Sequence, residues 1–458
     1  MTPNYRRIAV LDIGKTNAKV VVLDSATGAE IAAARTPNTV LKDGLYPHYD
    51  TDKLWSFTLD ALRAFAKEPG FDVISITTHG ASAALLDKAG NLAMPMLDYE
   101  HEYPAAFQDA YARVRPPFAE TFSPHQTMGL NVGAQLHYQK TAFPDDFAKV
   151  ATIVTYPQYW AARLTGIVTN EVTSLGCHTD LWNPRDSRYS SLVEILGIRE
   201  LMAPIRSAFD SLGPVLPETA KAIGLTREIP VYCGIHDSNA SLLPHLVGRV
   251  APFAVVSTGT WVINFGVGGD LNHLDPKRDT LANVDAYGRA VPSSRFMGGR
   301  EFETISGEIG DVDKEEVASA IKLVIAKGMM LLPNIVPGSG PFPGKTGRWV
   351  NAEHAAGAER YAALCLYLAL MNQACLDLIG AQGPVIVEGP FALNASYLML
   401  LAALTNREVI AIPGSTGTSQ GAALLTGIKP AAGGERHIAP STVPGLDRYR
   451  QTWHAWLA

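Results

Sequence analysis

Three short stretches of this chain combine an apolar run with side chains that can bind or move charge. In DIGKTNAK, Asp12 closes an apolar run, and Gly14, Lys15, Thr16 and Asn17 follow at a sharp turn. Backbone N–H groups gathered at such a turn form a concavity for an anion, and a carboxylate beside it can hold a divalent cation through water. A plain hairpin with Gly at the turn accounts for the same letters. In STGTW, Thr258, Gly259 and Thr260 make a second turn of the same kind. Two such loops facing one cleft would grip the phosphates of a nucleotide from both sides. In GIHDSNASLL, His236 and Asp237 stand between the apolar run Val231, Tyr232, Cys233 and a helical pattern. Asp237 either caps that helix or acts as a general base where α/β sheets present their ligands. His236 has no His or Glu at helical spacing, so it reads as a substrate contact rather than a metal ligand.

Positioning these groups requires a frame, and the chain shows one. Residues 8–12 and 18–24, then a third segment through Ala33, read as strands joined by tight turns. Strands apolar on both faces belong inside an α/β sheet. In HYDTDKLWSFTLDALRAFAKEPG, Leu54, Phe57, Leu59, Leu62 and Phe65 lie close to helical period, with Asp50 or Thr51 as N-cap and Gly70 as a stop. A strand over 73–77 then ends in Thr78, His79 and Gly80. Residues 104–227 are mostly helical in pattern, punctuated by Pro116, Pro117 and Pro124. Near residue 250 the order strand, Thr/Gly turn, strand begins again. A long helix over 352–380, a strand at 385–388, a helix over 394–405, a strand at 409–412 and a helix over 419–425 complete the chain. The reading divides it into residues 1–246 and 247–458, a structural duplication without a residue-level repeat.

Composition narrows the classes. A length of 458 residues exceeds what one core usually organises. With 47 % apolar and 18 % charged residues the chain is globular rather than disordered. The net charge of −6, without charge blocks, argues against a nucleic-acid partner. The most apolar stretch, 362–379, is interrupted by Asn372, Gln373 and Asp377, so a buried helix is expected there and no membrane span. The first apolar run stops at Asp12, too soon for a signal segment. Cys177, Cys233, Cys365 and Cys375 form no CxxC pair and read as core thiols in a reducing cytoplasm.

Taken in order, DIGKTNAK, HYDTDKLW, ITTHGASAALLDKAGNLAMPMLDYE, YPQYWAARLTG with TNEVT, GIHDSNASL, VVSTGTW and the closing GAALL segment resemble the FGGY-type carbohydrate kinases, above all the fuculokinase and rhamnulokinase kind. The resemblance implies two actin/hexokinase-like (ribonuclease H-like) α/β domains flanking a nucleotide cleft. It implies ATP and Mg²⁺ as cofactors, and a ketose such as L-fuculose, L-rhamnulose or a ketopentose as partner. By the family pattern Asp12, Gly14, Lys15, Thr16 and Asn17 face the phosphates, with Asp12 on the metal, and Thr258, Gly259 and Thr260 meet the γ-phosphate. Asp237 is then the catalytic base and also a substrate contact. His79, Gly80 and Ala81 lie on the sugar loop, with Tyr99, Gln135 and His236 as further sugar contacts.

Four places depart from that pattern. Lys15 stands where relatives have Thr, Ser or Ala, and Ser82 where many have an acidic residue. Glu100 and His101 replace an Arg-Asp pair. The adenosine loop, normally a Gly-Gly-Gly run, is Glu388-Gly389-Pro390-Phe391. Gly389, Phe391 and Asn394 are the adenosine-side candidates, with Phe391 either on the base or in the core. Sugar binding is expected to close the domains about residues 244–249, and a homodimer is left open. An actin-like ATPase acting on a partner protein and a catalytically weak sugar sensor are the competing readings.

Overall fold

The computed structural model describes residues 5–413, 417–429 and 434–457, in which two units are distinguished. One comprises, among the described residues, 5–249, 282–290 and 417–429; the other comprises 250–281, 291–413 and 434–457. The units are described separately.

The first unit is organised by the strand Arg7–Ile13, whose residues after Arg7 are all buried. A strand apolar on both faces needs neighbours on both edges and layers on both sides. It pairs antiparallel with Asn17–Asp24, which pairs antiparallel with Glu30–Pro37. On its other edge Val73–Thr78 runs parallel, followed by Pro230–Tyr232, also parallel, and by the antiparallel edge strand Ser211–Pro214. The short strand Ile235–His236 adds to the end of Val73–Thr78 and completes seven strands. The helix Thr51–Lys67 lays Leu54, Ala61, Leu62 and Phe65 on the sheet, and the Asp50 carboxylate accepts from the Lys53 N–H at its start. The helix ends at Lys67, and its C-cap Glu68 stands two residues before the glycine read as its stop.

The region 104–227 is less helical than its composition suggests. It contains the helices Val132–Ala142 and Tyr156–Thr165 but also the strands Thr152–Thr155 and Ser211–Pro214. Short strands of this kind carry too few residues to show a period. Pro244 does not interrupt regular structure as expected. It lies inside the helix Asp237–Leu246, and the left-handed Gly248 follows the helix end.

The second unit repeats the strand plan. Phe253–Thr258 pairs antiparallel with Val262–Val267, which pairs with Ala290–Phe296. On the other edge Val385–Glu388 and Val409–Ile412 run parallel, and Arg436–Ile438 closes the order antiparallel. The strand Thr280–Val284 straddles the division between the units. The helix Gly357–Leu378 is long and apolar enough to cross a membrane, yet it is the core helix of this unit, buried along most of its length among Leu398, Leu401, Ile321 and Val324. All four cysteines are buried thiols outside any disulfide.

Candidate active site

In the first unit three parallel strands end together. Asp12 stands opposite Thr77, Ile13 opposite Thr78, and His236 also opposite Thr78. Asp12, His79 and Asp237 therefore leave the sheet at its C-terminal edge, where open α/β sheets present ligand-binding groups.

Asp237 is the first residue of its helix, and the N-cap position belongs to His236, whose side chain makes no capping bond. Its carboxylate accepts from the Ser238 N–H at 2.6 Å, one residue on rather than the two or three of a capping carboxylate. The side chain is 30 % exposed, and His236 Nε2 lies 3.1 Å from Oδ1. Asn239 Nδ2 lies 3.3 Å from His236 Nδ1. One tautomer satisfies both contacts: Nε2–H donates to Asp237 and Nδ1 accepts from Asn239. Burial keeps this ring neutral, holding its pKa down to about 4. Burial also pushes the Asp237 carboxyl up to about 6; His79 and the Ser238 N–H oppose the rise, and the charge on Asp12 adds to it. A base must be deprotonated to work, so kcat/KM is expected to fall tenfold per pH unit below about pH 6. A flat pH–rate profile down to pH 5 would remove Asp237 as the group responsible.

The sugar-loop candidates sit beside it. His79 lies among Tyr156, Tyr49 and Tyr99, with ring centroids 4.8, 5.2 and 5.5 Å away. Nδ1–H donates to the Gly80 carbonyl at 2.7 Å, whereas the buried Nε2 has no hydrogen-bond partner among the described residues. Burial lowers the pKa to about 4, so Nε2 is a neutral acceptor that a hydroxyl can satisfy. Gly80 is required here, because a Cβ would lie 2.6 Å from His236 Nε2. Ala81 adopts a left-handed backbone with φ 54°.

Two expectations need correction in this region. Gln135, read as a sugar contact, is 1 % exposed, and its amide nitrogen donates to the Ala81 carbonyl at 2.6 Å and the Gly129 carbonyl at 2.5 Å. It braces the loop from behind. Lys15, read as a phosphate ligand, turns its ammonium to Asp98, with Glu100 at 3.4 Å and the Tyr99 and Tyr49 rings at 4.8 and 5.0 Å. A buried carboxylate and two aromatic faces together outcompete solvent for the cation. Sequence reading missed Asp98, which also accepts from the Tyr49 hydroxyl at 3.2 Å. Its position directly before Tyr99 was the available signal.

Gly14–Asn17 is the tight turn between two antiparallel strands, a form common to the phosphate-loop and plain-hairpin readings. The Gly14 N–H donates to the Asn17 carbonyl at 2.9 Å, the Asn38 amide holds the Gly14 carbonyl at 2.9 Å, and Thr16 and Asn17 are exposed. Asp12 is buried beside it. Its Oδ2 accepts from the hydroxyls of Thr418 and of Ser419, the latter at 2.6 Å, with Lys19 Nζ at 3.6 Å. Thr418 and Ser419 come from the start of the helix Thr418–Leu424; the sequence reading opened that helix at Ser419 and gave Thr418 no place.

In the second unit the Thr258 turn again follows the C-terminal end of a central strand. Gly259 and Thr260 are exposed, and the Gly259 N–H donates to the Trp261 carbonyl at 3.0 Å. The Thr258 side chain faces inward: its hydroxyl donates to the Glu388 carbonyl at 2.5 Å and accepts from the Phe391 N–H at 3.1 Å. Its hydroxyl is thus committed to the backbone of the Glu388–Phe391 loop rather than to the open side of the turn. Gly389, at φ 80°, passes so close that a Cβ would meet the Thr258 carbonyl oxygen at 2.1 Å. Phe391 is a core residue, 5 % exposed, against Phe302 at 5.6 Å and Tyr397 at 5.3 Å, so it does not serve as a platform for a base. Asn394 caps the helix Ala395–Thr405 by accepting from the Tyr397 N–H at 3.0 Å, and its amide lies 3.5 Å from the Cys365 sulfur.

A carboxylate raised by burial, an aromatic-lined loop and a tight Gly14–Asn17 turn thus gather at the end of this sheet. The chain matches the N-terminal domain of the FGGY family of carbohydrate kinases over residues 7–244 and the FGGY carbohydrate kinase C-terminal domain over residues 250–435. It belongs to the FGGY family of carbohydrate kinases. It is similar to the L-fuculokinase of Escherichia coli K12, at 26 % identity over 264 residues, 56 % of this chain and 55 % of that enzyme. It is also similar to the rhamnulokinase of Halalkalibacterium halodurans, at 23 % over 257 residues, 55 % and 54 % of the two chains. The chain thus matches about half the length of these curated relatives. Among solved structures it resembles a carbohydrate kinase from Novosphingobium aromaticivorans, with a TM-score of 0.90 and 38 % identity, covering 98 % of this chain and 100 % of that one.

Proposed function

We propose that this protein transfers the γ-phosphoryl group of ATP to a primary hydroxyl of a ketose. The observation that carries the reading is Asp237. It is a carboxylate raised towards pH 6 by burial, and it stands beside a sugar-loop histidine whose Nε2 lacks a partner, in a chain of the FGGY family. Asp237 takes the proton of the hydroxyl as its oxygen bonds to the γ-phosphorus; the bond to the bridging oxygen breaks and ADP leaves. Such transfer asks a protein chiefly for positioning and charge stabilisation. His79 Nε2 accepts from a second sugar hydroxyl, and Tyr99 offers an apolar face to the ring or chain.

Asp12 fits a Mg²⁺-ATP site. Magnesium commonly takes one or two carboxylates together with phosphate oxygens and water, and Asp12 is a buried carboxylate held by two hydroxyls next to the Gly14–Asn17 turn. Bound there, the cation would neutralise charge on the phosphates. Thr16 and Asn17 in this unit, and the exposed Gly259 and Thr260 in the other, are the candidate phosphate contacts. Asp12→Ala is expected to raise the Mg²⁺ concentration needed for half-maximal rate by about tenfold or more, with sugar affinity within twofold. Titrating Mg²⁺ at fixed ATP measures it, and an unchanged requirement would move the cation elsewhere.

The 6-deoxyketohexoses L-fuculose and L-rhamnulose, followed by ketopentoses, are the proposed substrates, supported by the relatives named L-fuculokinase and rhamnulokinase. A coupled ADP-release assay over ketopentoses, 6-deoxyketohexoses, aldoses and polyols tests the proposal. ADP release that rises with one ketose supports it. ATP turnover indifferent to every sugar would overturn it in favour of an ATPase, and nucleotide binding without any turnover would favour a sensor.

A further inference from the structure

The TNEVT segment carries chemistry that the active-site description leaves unused. Gln158, Glu171 and Thr173 are each 0 % exposed. Fully buried polar side chains must find partners inside the protein, and their partners reveal what they hold. Gln158 and Thr173 converge on the four residues before Asp237, and Glu171 acts on them through Thr173. Gln158 Nε2 donates to the Cys233 carbonyl at 3.0 Å and to the Gly234 carbonyl at 3.1 Å. Thr173 Oγ1 accepts from the His236 N–H at 3.1 Å. The Thr173 hydroxyl proton goes to Glu171, whose two oxygens also accept from the Thr173 N–H at 3.0 Å. The carboxylate thereby sets the hydroxyl rotor, aiming the proton away and a lone pair at His236.

The backbone needs this help. Ile235–His236 is a two-residue strand that pairs on one edge only, with Thr77 and Thr78, and the helix begins at the next residue. Gly234, at φ 90°, adds a permissive backbone just upstream. Without side-chain partners this turn would be free to shift, and Asp237 would shift with it.

We propose that Thr173, with its hydroxyl oriented by the buried Glu171, is a positioning residue for Asp237, fixing through the His236 N–H the strand-to-helix turn from which the carboxylate projects. This rests on the reading of Asp237 as the base. Misplacing a reacting group by about an ångström can lower a rate by about 10²-fold without removing binding.

The test uses the full chain. Thr173→Val keeps the shape and removes the hydroxyl; kcat is expected to fall about tenfold to a hundredfold with sugar KM within about threefold. Thr173→Ser should restore kcat to within about threefold of the parent, which a purely space-filling role would not predict. Glu171→Leu, which removes every acceptor for the hydroxyl, should lower kcat in the same sense; it serves as the test variant if Thr173→Val does not fold. Hydrogen exchange of a peptide spanning residues 230–240, read by mass spectrometry without substrates, should accelerate in Thr173→Val and not in Thr173→Ser. A folded Thr173→Val with kcat within threefold of the parent, or with unchanged exchange, overturns the proposal. Absence of sugar-dependent turnover in the parent protein would instead count against the kinase reading, and the exchange measurement would still decide whether Thr173 holds the turn.

Discussion

Asp237→Asn is expected to lower kcat by about 10²–10⁴-fold while sugar affinity stays within severalfold, the range typical of a lost general base. Asparagine keeps the shape and one acceptor oxygen. It can still accept from the Ser238 N–H and from His236 Nε2–H, the two contacts that orient the parent side chain. What it cannot do is take a proton. The acid limb of the pH–rate profile should vanish with the carboxyl, leaving any residual activity independent of pH between about 5 and 7. ADP release gives kcat, calorimetry gives the sugar affinity, and thermal unfolding confirms that the fold is kept. A loss smaller than about tenfold would take Asp237 out of the proton-transfer step.

Gly421→Ala should be among the most destabilising single-methyl changes available in the first unit. Gly421 lies in the helix Thr418–Leu424, and a Cβ there would sit 1.7 Å from the Ala240 carbonyl oxygen and 2.5 Å from its carbon. Ala240 belongs to the helix headed by Asp237, so the missing side chain lets two helices meet backbone to backbone. Alanine would gain about 1 kcal/mol of helix propensity. The overlap is with a backbone atom that no rotamer change can move, so overpacking, about 1–3 kcal/mol and occasionally more, wins. Thr418 and Ser419, on the same helix, would be drawn off Asp12 as it shifts. Calorimetry should show a lower Tm, and kinetics a raised Mg²⁺ requirement in the variant. A Tm equal to the parent's would mean that the helices do not approach as described.

The strands were legible wherever a run was apolar on both faces. Arg7–Ile13, Val73–Thr78, Val385–Glu388 and Val409–Ile412 emerge within one or two residues of where their patterns place them. Asp12, His79 and Asp237 were legible as candidates because each stands at or just after a strand's C-terminal end. Side-chain direction was not. Nothing in GKTN tells that Lys15 reaches back to Asp98, because the attraction comes from a residue 83 positions away. Thr258 and Asn394 carry the right chemistry for a ligand, but backbone groups claim them first, 130 positions away for Thr258 and three for Asn394. Gln135 bonds to two carbonyls of its own unit, one of them 54 residues distant. Thr418 and Ser419 reach Asp12 from more than 400 positions along the chain, a pairing that only the folded sheet creates.

The four buried thiols have a practical consequence. Burial pushes the thiols of Cys233 and Cys365 up to about 12 and that of Cys375 higher still, so these three hold almost no thiolate at neutral pH, and Cys177 is also buried. Maleimides react with accessible thiolate, and the native protein should be nearly blind to them. One new cysteine at the exposed Ile31 in the first unit and another at the exposed Leu323 in the second would therefore accept a donor–acceptor dye pair without any native cysteine being replaced. Energy transfer between them would report, in solution and in real time, whether the two units move as ketose and nucleotide bind.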